Sequence, residues 1–149
     1  GVICLRNVMP ARMEEALKKL IKCKFDASFM SNTKWRKVFT VLSVVPLKQA
    51  FWKYVDLDFE LRSCFVDESD LMDRFIGDCG LAGAPLAYRR IEWVEIPRVG
   101  VDPCYENIPH MNFEQDVDRV VSILKSTGEF ELEQTERGVR IYGHKKIGI

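Results

Sequence analysis

The sequence contains only two histidines, His110 and His144, and no Cys-x-x-Cys pair. Zinc sites draw three or four nitrogen or sulfur ligands, usually with one close pair in sequence, so no zinc centre is expected. Cys104 and His110 lie six apart without a partner pair and read as a buried thiol and a loop histidine. No Gly-x-Ser-x-Gly occurs, and neither Ser63-Cys64 nor Cys79 has a histidine nearby in the sequence, so acyl-transfer chemistry has no motif behind it. Gly77, Gly80 and Gly83 match neither a P-loop nor a dinucleotide fingerprint and mark a loop. Long apolar runs are missing too. The longest are residues 38–42, broken by Thr40, and 44–47, far short of the roughly 20 residues a membrane helix needs. The opening Gly-Val-Ile-Cys-Leu has no basic region followed by an apolar run, so no secretory signal is expected. The five cysteines are odd in number and irregularly spaced, which reads as reduced thiols in a cytoplasmic protein.

What the chain does contain is sorted charge. The formal net charge is zero over 149 residues, but the zero is a cancellation. Residues 1–53 carry eleven Lys/Arg and three Asp/Glu, a net of +8. Residues 54–136 carry seven and nineteen, a net of −12, and residues 137–149 carry four basic groups and no acid. An acidic centre between basic ends suits a surface that steers a charged partner. Apolar residues at 47% and charged residues at 30% fit a globular chain. A chain of this length buries roughly 70% of its unfolded surface in one domain. With no repeat and no long linker, residues 1–149 read as a single domain.

Met30-Ser-Asn-Thr-Lys-Trp-Arg36 resembles a natural protein start. Residues 1–29 are therefore either a genuine first helix or an N-terminal helical extension. Within them, Met13, Ala16, Leu17, Leu20 and Ile21 recur at helical spacing behind Pro10, which predicts an amphipathic helix over residues 10–24. Ser31, Asn32 or Thr33 caps a second helix with a stripe of Trp35, Val38, Phe39 and Leu42, ended by Pro46. Over residues 51–65, Val55, Leu57, Phe59 and Leu61 alternate with Asp56, Asp58, Glu60 and Arg62, which predicts one long strand or a bent pair with one face buried. A short helix is expected over residues 67–76. A strand is expected over 86–96, with Arg89, Arg90, Glu92 and Glu95 solvated, and a loop over 98–111. Asn112 is expected to cap a third long helix with Gln115 completing a capping box. Residues 130–134 and 139–142 flank Thr135-Glu-Arg-Gly138 as a β-hairpin. The fold class is α+β: a mainly antiparallel sheet of four or five strands with three or four helices packed on it. Trp35, Trp52 and Trp93 are expected in the core.

Alternation puts Asp56, Asp58 and Glu60 on one strand face, with neighbouring Cβ atoms roughly 7 Å apart. They read as a solvated edge, a contact for partner Lys/Arg, or an acid/base or cation site. The basic residues Lys18, Lys19, Lys22 and Lys24, with Lys34, Arg36 and Lys37, form a solvated face or a phosphate contact.

Asn32-Thr-Lys-Trp-Arg36, Tyr88-Arg-Arg-Ile-Glu-Trp-Val-Glu-Ile-Pro97 and Arg140-Ile-Tyr-Gly143 together resemble an uncharacterised family of small bacterial cytosolic proteins, of a kind found among toxin-immunity proteins. The resemblance covers residues 30–143 and implies an inhibitor without catalytic residues. The acidic centre agrees with it, because toxins that bind nucleic acid are basic and an acidic inhibitor gains on-rate and specificity against them. The expectation is a non-enzymatic, cytoplasmic protein-binding module that neutralises a basic toxin domain through Asp56, Asp58, Glu60, Asp67, Glu68 and Asp70, with no cofactor, metal or membrane partner. The alternatives are a nucleic-acid-associated protein using the basic ends and a small metal-dependent hydrolase built on the acidic strand.

Overall fold

The computed structural model describes residues 11–77, 85–102, 107–108 and 111–146. Cys79, Gly80, Gly83, Cys104 and His110 lie outside the described residues. Three α-helices occur among those described: α1 (Ala11–Lys24), α2 (Asn32–Leu42) and α3 (Val117–Thr127). The main sheet is antiparallel and five-stranded. It is built from β2 (Gln49–Tyr54), β3 (Glu60–Cys64), β6 (Ile91–Pro97), β9 (Leu132–Gln134) and β10 (Gly138–Tyr142), in the order β3-β2-β6-β10-β9. Three two-stranded ribbons complete the fold. These are β1 (Ala27–Ser28) with β11 (His144–Lys145), β4 (Phe75–Ile76) with β5 (Leu86–Ala87), and β7 (Val99–Gly100) with β8 (Phe113–Glu114). The α+β expectation holds. No described helix is long and apolar enough to cross a membrane.

Strand alternation sends Trp52, Val94, Ile96, Val139 and Ile141 to one face of the sheet, where they are buried with the stripes of α2 and α3. Trp35 stacks on Phe39, whose ring lies 5.9 Å from Trp52. The α2 start is legible in the sequence, because the Ser31 side chain accepts from the Lys34 amide. A small second cluster of Leu17, Phe25 and Val55 seats α1. Gly138 is required by a close approach: a Cβ there would sit 1.9 Å from the carbonyl oxygen of Ile96.

Four local expectations are corrected. The run over residues 51–65 is a pair of strands rather than one, and the shared acidic strand face fails, because Asp56 and Asp58 lie in the connecting loop and Glu60 opens β3. Residues 67–76 hold one 3-10 turn, Glu68–Asp70, capped by the Asp67 side chain, and then a strand. Part of the expected 98–111 loop pairs as β7, opposite Phe113–Glu114. That pairing removes Phe113 from the helix, and α3 starts at Val117 with Asp116 as its cap. Gln115 is therefore not a capping-box residue. Its buried amide oxygen accepts from the Lys48 and Gln49 amides at 2.8 and 3.0 Å, and its Nε2 donates to the Gln49 and Pro97 carbonyls.

All four hydrogen bonds of this amide are used, and apolar replacement strands their backbone partners. Gln115→Leu is expected to lower unfolding free energy by roughly 3 kcal/mol in urea titration, since each stranded buried group costs about 1–3 kcal/mol. Tyr88, fully buried, donates to the Met72 carbonyl at 2.8 Å, and burial pushes its hydroxyl from 10.0 up to about 12. The raised folded value means that stability is unaffected below pH 10 and falls as pH rises from 10 towards 12, where only the unfolded chain releases the proton. Denaturant titrations across that range should show the fall, and Tyr88→Phe should flatten it.

Candidate functional site

The loop between β2 and β3, residues 55–59, stands out because four cations pull it inward. Lys53, one residue before the end of β2, sits at a register shift against β6. Its ammonium donates to the Tyr54 carbonyl at 2.9 Å and to the Leu57 carbonyl, and pairs with Glu92 at 2.9 Å. Only 14% of the Lys53 side chain is exposed, so its charge is matched locally by a carboxylate and two carbonyl dipoles. Lys24, at the end of α1, donates to the Val55 carbonyl at 2.9 Å. Arg90 pairs with Asp56 at 3.1 Å while its guanidinium lies 4.9 Å from the Tyr54 ring centroid. Arg137 binds Glu60 at 2.7 Å. The Val55 amide donates to the Arg90 carbonyl, and the Leu57 amide to Tyr54.

What the cations leave outside is Asp58 and Phe59. Phe59 is 57% exposed. Asp58 is exposed and makes no ion pair among the described residues. Alternation had assigned Phe59 to a buried face. The chain reversal breaks that alternation, so Val55 is buried while Phe59 is not. An aromatic ring between carboxylates on a fixed loop is the composition of an interface anchor.

The six acidic residues do not converge on one patch. Asp56, Asp58 and Glu60 stand at one end of β3. Asp67, Glu68 and Asp70 follow its other end, beyond a strand roughly 13 Å long. Asp67 is occupied with the Ser69 amide at 3.1 Å, Glu68 is exposed, and Asp70 is half-buried with its carbonyl accepting from Gly77. Asp67 and Glu68 line a separate cleft with Lys48. Of the basic residues singled out, Lys24, Lys34 and Arg36 have partners in the Val55 carbonyl, the Phe29 carbonyl and Asp73, and Lys18 pairs with Glu15 at 3.7 Å; Lys18, Lys19 and Lys22 line a cleft beside α1. No three His, Cys, Asp or Glu groups among the described residues could hold a metal ion.

The sheet face opposite α2 and α3 corrects one further expectation. Glu95 is not solvated but fully buried; Trp93 is buried as expected, on this face rather than in the cluster under α2 and α3. Arg137 and Arg140 grip the Glu95 carboxylate at 2.5 and 3.1 Å. Their guanidiniums sit 3.8 Å from the ring centroids of Phe51 and Trp93 respectively. Arg140 also donates to the Tyr142 hydroxyl, which donates to Glu133. Because Arg137 holds Glu60 as well, this network fixes the second end of the β2–β3 loop.

Replacing Lys53 by Met leaves Glu92 and two carbonyls without their cation. It is expected to cost roughly 2 kcal/mol, and native-state hydrogen exchange should find the Leu57 amide opening faster. Unchanged exchange at Leu57 would contradict the assigned role. Compared with family models, curated proteins and solved structures, the chain matches none.

Proposed function

We propose that the chain is a cytoplasmic protein-binding module that docks through its β2–β3 loop. Its partner presents a cationic surface around an apolar pocket, as a basic toxin domain neutralised by an immunity-type inhibitor would. The observation that carries this reading is Phe59, exposed beside the unpaired Asp58 on a loop tied inward at Val55, Asp56, Leu57 and Glu60. A rigid anchor binds with less entropy to lose than a mobile one. Carboxylates around it speed encounter with a basic partner and reject acidic ones. The −12 central segment adds long-range steering. Two free thiols, Cys23 and Cys64, suit a reducing compartment.

The nucleic-acid reading has weaker support, because Lys24 and Arg36 are engaged within the chain and Lys34 reaches the Phe29 carbonyl.

The probe is the protein encoded by the gene immediately upstream, titrated calorimetrically. Phe59→Ala is expected to cost about 2 kcal/mol of binding, a roughly 30-fold loss. Asp58→Asn should slow association and reduce its dependence on salt between about 50 and 500 mM. Affinity untouched by both substitutions, or association indifferent to salt, would overturn the reading.

A further inference from the structure

The ribbon of β1 and β11 places Ser28 directly opposite His144. The Ser28 hydroxyl oxygen lies 2.7 Å from His144 Nδ1, and His144 Nε2 lies 3.0 Å from the Arg89 carbonyl oxygen. A carbonyl oxygen only accepts, so Nε2 carries the hydrogen. The lone pair is then on Nδ1, and the Ser28 hydroxyl must donate to it. This is the relation of a nucleophile to its general base, with a third group fixing the base in one tautomer. His144 is 5% exposed, with the Phe25 ring 5.6 Å from its own. Burial pushes its imidazole below the ordinary 6.5, so the ring is neutral near pH 7.

Both residues line a cleft of about 700 Å³ beside α1. Lys18, Lys19, Lys22 and Arg89 also line it, against one carboxylate, Glu15, which pairs with Lys18 at 3.7 Å and leaves the wall net cationic. Asn32 and Thr33, in the first turn of α2, form part of the same wall. Ser31 occupies the Lys34 and Trp35 amides, but the Asn32 and Thr33 amides have no partner among the described residues. Those amides leave two backbone donors in residues of the cleft wall. Met30 and Ile21 supply apolar wall.

We propose that Ser28 and His144 form a nucleophile–base pair that hydrolyses a carboxylic ester bearing an anionic group, which the net cationic wall of the cleft holds. Ser28 Oγ bonds to the ester carbonyl carbon and its proton passes to His144 Nδ1. Collapse of the tetrahedral adduct breaks the bond to the leaving oxygen, which takes that proton. Water then attacks the acyl-serine through the same base, releasing a carboxylic acid and restoring Ser28. This activity is separate from docking through Phe59 and does not depend on it.

The test treats the full chain with a fluorophosphonate, then locates the adduct by mass spectrometry. In parallel, hydrolysis of 4-nitrophenyl hydrogen succinate is compared with that of 4-nitrophenyl acetate. The expected result is one adduct on Ser28 and preference for the succinate ester. Ser28→Ala should lose about 10²-fold or more in hydrolysis, and Lys18→Glu with Lys22→Glu should reverse the preference. Absence of an adduct on Ser28 of the folded wild-type chain overturns the proposal without relying on any variant to fold. Undiminished hydrolysis in a folded Ser28→Ala variant overturns it as well.

Discussion

The ammonium of Lys53 is the interaction on which the candidate site depends. A cation that is 14% exposed is tolerated only where its charge and its three donors are met. Glu92 meets the charge, and the carbonyls of Tyr54 and Leu57 meet the remaining donors. Those carbonyls belong to the chain reversal itself, so satisfying the lysine closes the loop. Lys24 and Arg90 add a second layer of the same logic at Val55 and Asp56. The loop's conformation is set by cations from α1, β2 and the turn before β6. Asp58 and Phe59 are exposed as a consequence.

The same solution recurs across the face of the sheet opposite α2 and α3. Glu95 has no exposed surface, which a lone carboxylate in that position could not sustain. Two guanidiniums neutralise it, and each lies over an aromatic ring. Arg137 reaches Glu60 as well as Glu95, so the face is mechanically continuous with the loop. The two sides of the sheet are held by different physics. Alternating apolar residues pack on α2 and α3 on one side, and charges paired over aromatic rings cover the other.

Elements defined by local chemistry were legible in the sequence. The helix around Leu17 and Ile21, the Ser31 cap, and the hairpin around Thr135–Gly138 need only neighbouring residues to be read, although Leu20 and Met13 of the expected stripe are exposed. Elements decided by distant partners were not. The alternation from Val55 to Arg62 passes through a chain reversal that has no glycine, proline or asparagine to announce it, because Lys53 and Arg90 supply what a turn residue would. Gln115 has the right spacing for a capping box, yet its amide is taken by β2 and β6. Glu95 alternates like a solvated residue, and only the approach of Arg137 and Arg140 buries it. The pairing of Ser28 with His144 spans most of the chain and leaves no local signal.

The central claim is that the acidic, Phe59-bearing loop is held in one conformation before any partner arrives. Backbone ¹⁵N relaxation of residues 55–60 in the free protein tests this directly. Order parameters near those of the strands, about 0.85, are what the Lys53, Lys24, Arg90 and Arg137 contacts predict. Values below about 0.6 across the loop would contradict the account.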